Sequence, residues 1–425
     1  MALAASLFIS LGTWRWAQRV LVPSNTVAAQ RSGVPVGNNS DLYPRWLGAR
    51  ELLLHHRDPY STEVTREIQE GFYGRPLDLA RPADPSDQAA FAYPLYVVFL
   101  LAPTVTLPFA LVVSLCRWLF LFGIAASVPL WMRAIGFHLR LVWVVSAMVL
   151  VVSTYPSVLE FYMQNLAAVV AVLLALASAA LVRDWLVFSG FLLALATIKP
   201  QLSTFFVLWF LLWASGGWQE RRRLVFSFGL TLLALVLGGE ILLPGWLGKF
   251  LTAARSYREY VANPSGLRMF FPPLLAWMLA AVLLGALLVL GWQRQRARAG
   301  SSDFGWMLAW VAVVTTVVAP IALYNQVVLI PALLALLAQR ELIWKAGRVP
   351  RALAKAAFTC LIWQWGTAAI IGWGSLVLPA ERLRPTAYAP VYTLLALPPI
   401  TLLAIAAGTV ALRPREADSG DPTAG

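Results

Sequence analysis

The chain has 425 residues, 60% of them hydrophobic and only 12% charged, with a mean hydropathy of +0.71. A soluble domain of this size needs more polar surface, so the composition excludes one and points to a chain solvated by a bilayer. The net charge of +13 is spread over short segments between apolar runs, which reads as topology information rather than a nucleic-acid surface. Cys116 and Cys360 both lie in apolar runs, so neither a disulfide framework nor a cysteine metal cluster is expected. No spacing of His, Asp and Glu suits a metal centre, and no glycine-rich phosphate loop supports a nucleotide cofactor.

In chain order, the run Met1 to Val22 lacks a basic start and a small-x-small cleavage site, which predicts a membrane helix rather than a signal peptide. The polar segment 23–93 holds nine of the 20 acidic residues. It predicts short helices at about 41–56 and 61–73 and a turn-rich stretch from Arg75 to Gln88. Tyr93–Pro108 reads as a re-entrant or interfacial helix, so that 23–108 forms one extracytoplasmic loop with juxtamembrane helices. Apolar runs follow at about 109–132, 139–157, 165–182, 185–198, 201–214, 221–243, 270–292, 304–322, 324–340, 355–378 and 389–411, which with the first gives about twelve transmembrane helices. The runs at 185–198 and 201–214 are short for a core that takes about 20 residues to cross, and should tilt or end at a recessed cavity. The expectation is an all-α polytopic membrane protein, with residues 1–411 one transmembrane domain and 412–425 a disordered cytoplasmic tail.

Charge sets the orientation. The loops at 133–140, 183–184, 219–223, 293–303 and 340–355, with the tail, collect 16 Lys and Arg, whereas the opposite short loops collect seven. The positive-inside rule makes the first set cytoplasmic, with both termini inside and 23–108 and 243–270 outside.

Polar residues at helix ends then fall on the outer side: Glu160, Gln164, Asn165, Lys199, Gln201, Glu240, Asn325 and Gln326, with Arg117 in an outer helix half. Ionisable groups within membrane helices mark functional sites by default, and this set predicts an outward-opening polar cavity under the 23–93 segment. Asp41, in Asn38-Asn39-Ser40-Asp41, is placed either to cap the next helix, with Pro44 in its first turn, or to act as a general base at the membrane boundary. Leu42, Trp46, Ala49 and Leu53 form a stripe at helical spacing, which predicts a helix lying along the membrane surface. Asp58-Pro59-Tyr60 reads as a turn. His55 and His56 point about 100° apart on a helix, which rules against a shared metal.

The stretch from Asp41 through Leu42-Tyr43-Pro44-Arg45-Trp46 to Asp58-Pro59-Tyr60 resembles the opening loop motif of glycosyltransferase family 87. Phe91-Ala92-Tyr93-Pro94-Leu95, Gln164-Asn165, Ile198-Lys199-Pro200-Gln201, Asn263-Pro264-Ser265 with Arg268, and Ala319-Pro320 followed by Pro331 match in order, so the resemblance spans about 41–335. It implies a GT-C fold enzyme, mannosyltransferase-like, that moves a monosaccharide from a polyprenyl-phosphate donor to a lipid or glycan acceptor. Reaction at the outer face of a bacterial plasma membrane, in the cell envelope and without a cofactor, is implied too. Asp41 would then be the catalytic base of an inverting attack, and Lys199 and Arg268 would bind the donor phosphate. Tyr43, Tyr93, Gln164, Asn165, Gln201, Asn263, Asn325 and Gln326 are the substrate-pocket candidates. Relatives often carry an aromatic-x-His element where this chain reads Tyr324-Asn325-Gln326. The competing class is a flippase or transporter of a lipid-linked sugar, which needs the polar cavity but no base in a surface loop.

Overall fold

Apolar runs interrupted by proline, glycine and polar pairs become helices with breaks at those interruptions. The computed structural model describes residues 1–412 except Leu79, Ala262, Asn263 and Ile321. Among the described residues there is no strand, only an isolated bridge between Ser265 and Pro320. The helices are α1 (Ala2–Trp16), α2 (Val22–Ser32), α3 (Tyr43–His55), α4 (Thr62–Tyr73), α5 (Val97–Leu101), α6 (Phe109–Ala134), α7 (Leu141–Val151), α8 (Tyr155–Met163), α9 (Ala167–Leu181) and α10 (Leu186–Ala196). They continue with α11 (Pro200–Ser215), α12 (Trp218–Leu242), α13 (Trp246–Val261), α14 (Gly266–Phe270), α15 (Pro273–Arg294), α16 (Ser302–Val318), α17 (Ile330–Ala338), α18 (Arg340–Lys345), α19 (Arg348–Gly374), α20 (Ala380–Leu383) and α21 (Leu397–Leu412). The expected tail lies, past Leu412, outside the described residues.

Three expectations about the elements need correction. The first helix does not stop at Val22, because a π-helical turn, Ala17–Leu21, carries α1 into α2 and the loop begins only after Ser32. The run at 139–157 is not one straight helix, because Thr154 and Pro156 break it and α7 and α8 meet at 59°. Half of the run at 324–340 is 3-10 helix, Leu323–Leu329, before α17 starts at Pro331's turn.

By length and composition α6, α12 and α15 cross a membrane alone, and α7 with α8 makes a fourth span if the bent pair is counted as one. The helices α9, α10, α11, α16 and α21 are apolar but shorter, and several end at polar junctions: Asn165 before α9, Lys199 before α11 and Asn325 in the 3-10 turn. α1 and α19 approach through glycine. A Cβ on Gly372 would overlap the Gly12 carbonyl, and one on Gly12 would meet the Ala369 backbone. Small residues of this kind let membrane helices pack backbone to backbone.

α3, α4 and α5 roof one end of the bundle. Leu42, Trp46 and Ala49 are buried in the core. Trp46 packs on Phe109 with centroids 4.9 Å apart and donates from Nε1 to the Thr104 carbonyl at 3.1 Å, while Phe91 fills the space beside Gly48. The apolar face of α3 therefore covers the top of α6 and the 91–105 segment. Arg57 ties α3 to α4 through Glu51 and Glu67, and Lys249 of α13 reaches Asp58 of the roof at 2.7 Å.

Candidate active site

Asn38-Asn39-Ser40-Asp41 is a clasp between the roof and the break that joins α8 to α9. Asn38 and Asn39 donate their backbone N–H groups to the Gly71 and Phe72 carbonyls at the end of α4. Two residues on, the Asp41 N–H donates to the Met163 carbonyl at 2.7 Å and the Ser40 hydroxyl to Gln164 Oε1 at 2.7 Å. Gln164 takes a left-handed backbone, φ 50°, that ends α8. This costly conformation for a side-chain-bearing residue turns the chain so that Asn165 faces the clasp.

A hydrogen-bonded chain starts there. Asn165 Nδ2 donates to Asp41 Oδ2 at 2.8 Å. Asn165 Oδ1 accepts from Lys199 Nζ at 2.7 Å, and Lys199 donates again to Asn325 Oδ1 at 2.8 Å. Lys199 is 3% exposed and lies 4.7 Å from the centroid of the Tyr324 ring. It lies between the short helix α10 and α11, as the residue before Pro200 at the N-cap of α11, so the helix break delivers its side chain into the protein interior. Asp41 caps no helix: Leu42 stands at the N-cap of α3 without a side-chain cap bond. The capping expectation is thus replaced by a carboxylate held by an amide.

Around this chain stand charges and phenols. Arg45, one turn into α3 and 8% exposed, lies 4.5 Å from the Tyr93 ring centroid and donates from a terminal nitrogen to the Asp41 carbonyl at 2.7 Å. Its Nε is buried without a partner. Asp41, Tyr93, Tyr257 and Tyr324 are within its electrostatic reach, so α13 contributes Tyr257 to the wall. Burial pushes the Tyr93 and Tyr257 hydroxyls above the usual phenol range, which leaves both as neutral hydrogen-bond donors. Glu160 is fully buried with Lys199 and Asp41 as its charged neighbours. Neither of its oxygens has a well-aligned hydrogen bond, although the Asn165 and Ala168 N–H groups at the start of α9 face it.

The sequence-derived candidates divide cleanly. Asp41, Tyr93, Gln164, Asn165, Lys199 and Asn325 come together. Tyr43 packs in the roof against Phe109 and Gly71, and Gln201 is exposed. Gln326 makes no bond to this chain and donates to the Leu394 carbonyl at 2.9 Å. Arg268 is exposed on α14 and its side chain donates no hydrogen bond among the described residues. Asn263 lies outside the described residues. Sequence reasoning missed Arg45 and Tyr257. Arg45 sits four residues after Asp41, the spacing that puts two side chains on one helical face, and that signal was readable. Nothing in the sequence placed Tyr257 over Asp41.

A narrow apolar crevice adjoins the chain. Asn325 and Gln326 line its polar end, and Leu267, Phe270, Val317 and Pro398 line the rest.

A helical membrane protein in which a half-buried carboxylate is joined through an amide to a buried lysine, under a structured loop, belongs to the class of integral membrane enzymes. The model of glycosyltransferase family 87 matches residues 91–320, over half of the chain, and the protein belongs to that family of GT-C type membrane glycosyltransferases. The match includes Tyr93, Gln164, Asn165 and Lys199, begins after Asp41 and ends before Asn325. No match was found among curated proteins or solved structures.

Proposed function

We propose that the protein transfers a monosaccharide from a polyprenyl-phosphate donor to the hydroxyl of a lipid or glycan acceptor, with inversion, at the outer face of a bacterial plasma membrane. The observation that carries this reading is the Asp41–Asn165–Lys199–Asn325 chain, which puts a carboxylate and a buried ammonium one amide apart. An inverting transfer needs both at that separation: a base on the attacking oxygen and a cation on the departing phosphate.

In the proposed reaction Asp41 takes the proton of the acceptor hydroxyl. The oxygen attacks the anomeric carbon, the bond from that carbon to the phosphate oxygen breaks, and polyprenyl phosphate leaves with the electron pair. Lys199 stabilises the phosphate as its charge develops. Arg45 is the second cation at this point, with an unpartnered Nε, and is a nearer candidate than the exposed Arg268, which stays proposed for the phosphate as it enters. The apolar lining of the crevice beyond Asn325 supports a lipid-linked rather than a soluble donor, because such a wall suits a prenyl chain and offers a nucleotide few polar partners. The outward placement rests on the count of basic residues.

The test is release of polyprenyl phosphate from a polyprenyl-phosphate mannose by the purified protein in the presence of membrane-extracted acceptor lipids. Release dependent on acceptor supports the reading. Translocation of the intact lipid-linked sugar without release supports the flippase instead.

A further inference from the structure

A second site lies at the other end of the bundle. The N-terminal end of α6 is under the roof, where Phe109 packs on Tyr43 and Trp46. Its C-terminal end, 26 residues on, is roughly 40 Å away at the rise of a helix. There the end of α6, the loop to α7 and the loop between α15 and α16 border an open pocket of about 700 Å³.

Three exposed basic side chains from separate parts of the sequence line this pocket: Arg133 at the end of α6, His138 in the following loop and Arg298 before α16. None of the lining residues is acidic, and among the described residues none of these three forms an ion pair or donates a side-chain hydrogen bond. The geometry is built rather than incidental. Gly136, φ 68°, lies so close to the Gly300 carbonyl that a Cβ there would overlap it, and Gly300 itself has φ 80°. Both loops thus need glycine to come together around the cavity. Ser301, the N-cap of α16, also lines it, which adds the positive end of a helix of 17 residues.

Arg133 and Arg298 bring two positive charges to the rim of one pocket, and an anion between them lowers their mutual repulsion. Basic residues that serve only to orient a membrane protein need lie only on the correct side, not around a common space. The depth and lining identify the anion. Exposed Trp143, Trp185, Trp218 and Trp292 begin or end helices at this same end of the bundle, a belt that marks headgroup level. The remaining wall is apolar, with Met132, Phe137 and Val144 among its residues, and α7 starts with exposed Leu141 and Val142 beside it. We propose that this cavity binds the phosphate of an anionic phospholipid, with the headgroup between Arg133, His138 and Arg298 and the acyl chains along α7. The recognition follows from general rules for basic pockets between membrane helices and does not depend on the sugar-transfer reading.

The experiment is lipid retention by native mass spectrometry and thermal stability in nanodiscs of phosphatidylcholine with and without phosphatidylglycerol. Wild-type protein should retain phosphatidylglycerol and melt higher with it, and millimolar inorganic phosphate should not reproduce the shift. Arg133→Gln with Arg298→Gln should weaken retention roughly tenfold or more, from the loss of two charges at the lipid surface. Arg222→Gln with Arg223→Gln, which removes two exposed charges at the same end but outside the cavity, should leave retention near wild type. A chain cut after Leu412 should also retain the lipid as wild type does. Equal losses in the two double variants would reduce the effect to diffuse surface charge and overturn the proposal. So would an equal shift with inorganic phosphate, or retention that rises severalfold on removing the acidic segment 413–425. If either double variant fails to fold, Arg133→Lys with Arg298→Lys against wild type reads the same site, since a point charge in place of a bidentate fork should bind the lipid measurably less tightly.

Discussion

Asn165 donates one hydrogen bond to Asp41 and accepts another from Lys199, at 2.8 and 2.7 Å. One amide thereby sets the spacing between the proposed base and the proposed phosphate ligand, and it fixes which way each points. Asn165 Oδ1 is further held by the Ala167 N–H at 3.0 Å, so its orientation is not free to flip.

Asp41→Asn should retain the fold, because the Asp41 side chain caps no helix and an asparagine oxygen can still accept from Asn165. Sugar transfer should fall roughly 10²–10⁴-fold, the usual contribution of a positioned base. Turnover measured as polyprenyl phosphate release, beside the melting temperature, checks this. Near-normal turnover would remove Asp41 from the chemistry.

Lys199→Met should weaken binding of polyprenyl phosphate by about 1.5–3 kcal/mol, the worth of a hydrogen bond to a charged group, which is roughly 10–150-fold in Kd. Lys199→Arg should restore only part, because a planar fork does not fit between the Asn165 and Asn325 oxygens as a tetrahedral ammonium does. Calorimetry with polyprenyl phosphate reads both, and unchanged affinity in Lys199→Met would leave the lysine a purely structural ion.

Asn165→Asp separates the two halves of the site. It keeps an oxygen for Lys199, so polyprenyl phosphate binding should stay within a few-fold of wild type. Against Asp41 it sets a second carboxylate, and two carboxylates sharing a site push one pKa up. The base is then ionised only at higher pH, so the rising limb of the pH–rate profile should move to alkaline pH and turnover at neutral pH should fall. A profile superimposable on wild type would mean that Asn165 does not position the base.

Topology can be read by labelling with a membrane-impermeant thiol reagent. Ser86→Cys in the exposed loop should react from outside intact cells, and Arg296→Cys between α15 and α16 should react only after permeabilisation. Cys116 is buried and Cys360 half-buried, which keeps the background low. Outside labelling of Arg296→Cys would invert the orientation drawn from the basic residues.

Composition alone determined the membrane class, because a surface this apolar has no other stable solvent. Residue order then determined that the chain is helical and that α3 and α4 occupy the first loop, since periodicity and turn residues act over a few positions. The candidates Asn165, Lys199 and Asn325 were also legible, because a polar side chain at the edge of an apolar run is costly wherever the run finally packs, and Asp41 was legible from the motif that it opens. Their connection was not legible. Asp41 and Asn165 are 124 positions apart, and Lys199 and Asn325 are 126 apart, and no local pattern encodes which distant helix break meets which loop. The tertiary structure also set Gln201 and Gln326 apart from the Asp41–Lys199 chain, since Gln201 is exposed and the Gln326 amide donates to the Leu394 carbonyl. One residue along a helix is a turn of about 100°, so neighbours in a motif face different surroundings once the helix is fixed. Arg45 entered the site because the first turn of α3 brings its guanidinium against the Tyr93 ring and the Asp41 carbonyl.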